Sequence, residues 1–288
     1  MFDNPVSKSV SQFAGLVEGL ADSDLEKEWI WGSYKSEGVR FAYFRTLEQL
    51  RELAVKLTRA RGFSGTQLTE AQQILAQYHA AYNDLQAVLI GVGSKYEERP
   101  PSQGEWPLRR ILAHIVGADL GFYVVIKFSL DRYRQGFDQL VEIDDETWLG
   151  IAGMSGDEID EMITGPMAGL QTFHRDLHQR VISDFTSVEA SELEMPIKYW
   201  EDEPMALRFR MHRFESHMRQ HTIQVEKTLH QLGLVPNESQ RLLRLIYAAL
   251  AEVEGVLIGA NDNYNELLNE TAENINERTQ EIRTVLAS

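Results

Sequence analysis

Apolar residues recur at intervals of three and four through most of this chain, and runs that alternate at every second position are scarce. The pattern predicts helices. One covers 38–61, with Gly62 as its stop. A second covers about 66–92 and carries Leu68, Ala71, Leu75, Tyr78, Tyr82, Leu85 and Leu89 on one stripe. The Gly- and Pro-rich piece "GVGSKYEERPPSQGEW" breaks it. A third helix starts at Pro107, a favoured first-turn residue, and runs to about Tyr133. Residues 134–154, with Trp148, read as a long connection. Ser155 and Glu158 have the spacing of a capping box and open a helix over about 156–184, which Gly165 and Pro166 kink near its start. A polar connection at 186–204, with Tyr199, Trp200 and Pro204, leads to a helix over about 205–232 closed by Gly233 and Pro236. Helices over about 237–258 and 263–286 finish the chain.

The expected class is therefore all-α. Four long helices in succession across 64–234 suit a four-helix bundle with longer connections on two of its three links. Segments 1–63 and 235–288 are expected as N- and C-terminal helical extensions that pack together or against the bundle.

Within the 205–232 stripe of Leu207, Met211, Phe214, Met218, Val225, Leu229 and Leu232, the apolar pattern has a gap, and His221 falls into it. His217 borders the same face. Helix positions four apart stand about 40° apart around the axis and about 6 Å along it, so the two rings of "HMRQH" can reach one ion from one face. Inward histidines must be satisfied by hydrogen bonds or by a metal. His212, Arg219 and His230 fall on the far side. A third ligand has to come from another helix, and periodicity leaves several candidates nearly equal: His114, His79, and the His174–His178 pair of "HRDLH".

Composition narrows the chemistry. The 288 residues contain no cysteine, which removes disulfides, thiolate ligands and cysteine nucleophiles. A formal net charge of −16 disfavours nucleic acid and anionic membranes as partners. No run approaches eighteen uninterrupted apolar residues, so no membrane span is expected. The start "MFDNPVSKSV" lacks the pattern of a signal peptide, and a cytoplasmic location is the default expectation. The Glu-x-x-His pairs of di-iron bundles, H-E-x-x-H, a phosphate-binding Gly-rich loop and a nucleophile elbow are all missing.

"EWPLRRILAHIVGADLGFY", followed about a hundred residues later by "HRFESHMRQHTIQVEKTLHQLG", resembles the DinB-like superfamily of metal-binding four-helix bundles. That superfamily includes bacterial thiol S-transferases and mycothiol-dependent maleylpyruvate isomerases. The shared features are a Trp just before the second bundle helix, a histidine about eight residues after it, and H-x-x-x-H on the fourth helix. The resemblance covers about 64–234 and leaves the terminal helices outside.

The resemblance implies a metal site of His114, His217 and His221, and it leaves His79, His174 and His178 out. It implies one divalent ion, zinc or nickel, with open positions for water or a small-molecule substrate. It also implies an external low-molecular-weight thiol as a co-substrate and a possible homodimer. Asp119, Glu215 and Gln220 are candidates to orient an imidazole, with Asp119 the candidate general base. Trp106, Tyr199 and Trp200 are candidates to line a pocket at the bundle mouth, or to anchor the loops. Two readings compete: a metal-dependent thiol transferase or hydrolase, and a non-catalytic metal-binding or interaction protein whose acidic helical extensions carry the function.

Overall fold

The computed structural model describes residues 4–34, 37–199, 203–260 and 264–288. Ten α-helices and a single two-residue strand pair make up its regular structure among these residues: α1 Pro5–Val17, α2 Arg40–Ser64, α3 Glu70–Val88, α4 Leu108–Arg134, α5 Asp145–Ala152, α6 Gly156–Thr164, α7 Met167–Phe185, β1 Pro196–Ile197, β2 Met205–Ala206, α8 Leu207–Gln231, α9 Glu238–Leu257 and α10 Asn265–Ala287, with three short 3-10 turns. The all-α class holds.

Several boundaries move for local reasons. Gly62 does not stop α2. A glycine inside a helix costs only about 1 kcal/mol relative to alanine. The stop is Gly65, left-handed at φ 71°, whose N–H caps the carbonyls of Arg61 and Gly62. α3 starts at Glu70 because Thr69 and Gln72 cap each other's backbone N–H groups at 3.3 and 3.2 Å. The predicted connection at 134–154 contains α5, opened by Asp144, whose carboxylate accepts from the Thr147 N–H at 2.8 Å. Ser155 and Glu158 do form a capping box. Gly165 and Pro166, however, divide the predicted helix rather than kink it. Gly165 is extended, as a residue before proline prefers, and α7 begins after the break. Within 186–204 and just beyond, β1 and β2 pair antiparallel, Pro196 opposite Ala206 and Ile197 opposite Met205.

The chain divides into two compact units. The first comprises Met1–Gln67, Asn83–Val92 and Leu234–Ser288. The terminal segments pack with each other: α1 lies against α10 and α9, and α2 against α9 and α10, a ring of four helices. Val6, Val10, Phe13 and Val17 recur along one face of α1 and are fully buried, as are Leu243, Ile246, Leu250 and Val253 of α9. Polar ties run through this core. Ser7 Oγ donates to Glu254 at 2.6 Å, and Tyr43 and Ser239 share a 2.6 Å hydrogen bond.

The second unit comprises Leu68–Tyr82 and Gly93–Gly233. Residues 83–92, part of the predicted 64–234 bundle, belong to the first unit instead. α4 is the axis of the second unit and lies against α5, α6, α7 and α8. α4 is also long and apolar enough to cross a membrane by length and composition, a feature the reading of uninterrupted apolar runs missed; most of its apolar stretch is buried inside the unit. Tyr78 of α3 ties the four long helices together. Its hydroxyl donates to Asp119 of α4 at 2.9 Å, and its ring lies 5.0 Å from those of His178 on α7 and Phe214 on α8. α4 and α8 run antiparallel. Glu105, just before α4, meets Lys227 near the end of α8, while Phe122, further along α4, meets Arg213.

Candidate metal centre

The antiparallel pairing of α4 and α8 brings His114 opposite His217 and His221. The ring centroids stand 5.0, 4.6 and 4.4 Å apart, and the three ligand atoms lie within 4.8 Å of one another. The Nε2 atoms of His114 and His217 are 3.2 Å apart. Imidazole nitrogens on a tetrahedral zinc stand about 3.4 Å from each other, so this pair already has the spacing of two ligands on one ion. A single N–H···N bond would give the same distance. It would not account for a third ring, that of His221, converging on the pair. The donor set therefore fits a divalent ion.

Each ring is held differently. His217 and His221 fill the gap in the apolar stripe of α8 and are nearly buried, whereas His114 is exposed and opens one side of the cluster. Burial, and then the neighbouring His221 and His114, pushes the pKa of His217 down to about 3. Burial and His221 also lower that of His114. These two rings are neutral near pH 7 and keep a lone pair for a metal. Gln224, one turn after His221, accepts from its Nδ1 at 2.8 Å, which leaves Nε2 of His221 as the free acceptor. Gln224 lies three residues from His221, so its position on the same face was available from the sequence and was missed. Trp106 stands edge-on to His114 at 5.4 Å and Phe122 edge-on to His217 at 5.8 Å, forming two apolar walls.

The candidate orienting groups lie elsewhere. Asp119 is fully buried; its Oδ2 accepts from Tyr78 at 2.9 Å and faces His174 Nε2 at 3.4 Å. Glu215 pairs with Arg219 at 2.6 Å, and Gln220 is exposed. Tyr199 packs on α4: a Cβ placed on Gly121 would stand 2.2 Å from its hydroxyl oxygen. Trp200 lies outside the described residues. His230 is exposed, but His212 is half-buried rather than fully on the surface.

The second H-x-x-x-H resolves differently. His174, His178 and His79 form a separate buried group with Asp119, Tyr78 and Tyr82. His79 Nδ1 and His178 Nε2 are 3.2 Å apart, and Tyr82 stacks on His178 at 4.0 Å. Burial, and next to it His79, holds the His178 pKa well below 6.5, while burial raises that of Asp119 against the bonds from His174 and Tyr78. These groups pair through hydrogen bonds and ring stacking, while Asp119 Oδ1 and the Nδ1 atoms of His174 and His178 are buried with no hydrogen-bond partner among the described residues. Among the described residues only His114, His217 and His221 converge as three ligands.

An all-helical unit with three histidines, one from its axial helix and two from the antiparallel neighbour, defines a class of helical bundle with a histidine cluster that could hold a metal ion. The sequence model of the DinB superfamily matches residues 13–225, well over half of the chain, and the chain belongs to that superfamily. The match reaches into the N-terminal helices, which the 64–234 resemblance had left outside, and stops before α9 and α10. No curated protein matches the chain, and no solved structure does.

Proposed function

We propose that His114, His217 and His221 bind one divalent metal ion, zinc or nickel, and that the protein is a metal-dependent enzyme acting on a small molecule, most closely an S-transferase that activates an external low-molecular-weight thiol. The observation that carries this reading is the convergence of three imidazole ligand atoms within 4.8 Å across two helices, open to solvent on the His114 side. Three protein ligands with an open position are the pattern of a catalytic rather than a structural site. Such an ion supplies a positive charge that lowers the pKa of a thiol or water beside it.

The chain's own residues favour thiol over water. Hydrolysis calls for a base beside the metal, and Asp119, the candidate, is committed to Tyr78 and His174 in the separate buried group. His114, His217 and His221 hold the ion, Gln224 fixes the ring of His221, and Trp106 and Phe122 shield the cluster. A cytoplasmic setting and a homodimer accompany this reading.

Elemental analysis of protein purified without an affinity tag tests it. The wild-type chain is expected to carry close to one metal per chain, and His221→Ala to lose most of it. A metal-free wild type after growth in metal-replete medium overturns the site. Normal binding by His114→Ala, with loss in His79→Ala, would move the ligand set to the other histidine group.

A further inference from the structure

One turn before each of two cluster histidines stands an arginine. Arg110 precedes His114 on α4, and Arg213 precedes His217 on α8. The guanidinium of Arg110 lies 4.6 Å over the ring of Trp106, the ring that abuts His114. That of Arg213 lies 5.9 Å from the ring of Phe122, the ring that abuts His217. Each arginine therefore contacts a ring that itself abuts a histidine of the metal centre.

Most other arginines on the helices of this unit have a carboxylate or a main-chain carbonyl as partner. Arg109, Arg134, Arg175, Arg208 and Arg219 each pair with a carboxylate, and Arg132 and Arg180 bond main-chain carbonyls. Arg110 has no hydrogen-bond or carboxylate partner among the described residues, and Arg213 makes only a 3.4 Å bond to the Ser216 hydroxyl. In a chain with 44 acidic and 28 basic residues, carboxylates are plentiful, yet among the described residues none pairs with these two.

We propose that Arg213 and Arg110 are specificity-determining residues that select a substrate bearing a carboxylate, held by one or both guanidinium groups while its reactive end faces the three histidines. A guanidinium presents a planar fork of donors that matches a carboxylate, and a charged hydrogen bond beside apolar walls is stronger than one in open water. Two fixed positive charges beside a dication also raise the local concentration of small anions against the negative field of the whole chain. The inference rests on the metal reading above and adds to it the charge of the substrate and the residues that recognise it.

The test uses the full chain loaded with cobalt(II), whose visible bands report thiol binding without turnover. Mercaptopropionate is titrated against mercaptopropanol, two thiols that differ in the remote group. The acid is expected to bind roughly tenfold or more tightly than the alcohol, the range of one charge-assisted hydrogen bond. Arg213→Gln or Arg110→Gln should reduce that preference with cobalt content unchanged, and Arg213→Lys should keep part of it. Arg110 is exposed, so its variant probes the idea without risk to folding. Equal binding of the two thiols by wild type overturns the inference and leaves the metal reading standing. A preference that survives in the double variant Arg110→Gln, Arg213→Gln belongs to the metal and also overturns it. No cobalt uptake by wild type removes the metal reading and the inference together.

Discussion

His221 donates from Nδ1 to Oε1 of Gln224 at 2.8 Å, a contact between adjacent turns of one helix that sets which nitrogen of the ring faces His114 and His217. Second partners of this kind fix the tautomer of a ligand, and their loss typically lowers metal affinity by about 10- to 100-fold. Gln224→Leu is therefore expected to fold normally and to lose metal in competition with a chelator that wild type resists. Unchanged affinity would show that the ring is oriented by packing alone.

Acid is expected to destabilise the metal-free chain, with a definite sign. His178 in the folded state lies well below its ordinary 6.5, and His217 at about 3. Below about 6.5 the unfolded chain thus binds more protons at these rings than the folded chain does. Their contribution is complete above that value and is lost as pH falls, down to about 3 for His217. Each such proton contributes a slope of about 1.4 kcal/mol per pH unit. Asp119, whose pKa is raised, opposes this at lower pH by taking up its proton earlier in the folded state. Urea melts of wild type and His178→Phe across this range should show a shallower acid limb in the variant.

Gly121 and Tyr199 form a pair that can be tested as a cycle. A methyl at Gly121 would stand 2.2 Å from the tyrosine hydroxyl, closer than atoms approach. Gly121→Ala is expected to cost about 1–3 kcal/mol, the usual range for overpacking. Tyr199→Phe removes the clashing oxygen, so the double variant should recover most of that loss in denaturant melts. Additive losses would mean that Tyr199 is free to move aside.

Arg61 is the corresponding test in the first unit. It is buried, and its guanidinium donates to the carbonyls of Thr66, Val256 and Ile258 at 2.6, 2.5 and 2.8 Å. It thereby closes the ends of α2 and α9. Arg61→Leu strands three acceptors and is expected to cost about 3 kcal/mol or more. Thermal melts should show that loss, and metal content should stay at the wild-type level.

The helical class, the stripes on α3, α4 and α8, and the capping box of Ser155 and Glu158 were legible because they are local: a 3.6-residue period and a three-residue spacing are properties of sequence alone. The inward register of His217 and His221 was legible for the same reason. The short helix α5 was not, since eight residues carry too little periodicity, and neither was the choice of Gly65 over Gly62, which depends on which residue adopts the left-handed conformation. The two H-x-x-x-H pairs have one spacing and one local geometry, so periodicity could not separate them, and only the resemblance favoured His217 and His221. Their difference lies in what the neighbouring helices present. α4 sets His114 opposite one pair, while α3 and α4 surround the other with His79, Tyr82, Tyr78 and Asp119. Only the antiparallel packing of α4 on α8 brings three candidate ligands together from residues a hundred positions apart, because convergence at a point is a property of the packed helices and not of any one of them.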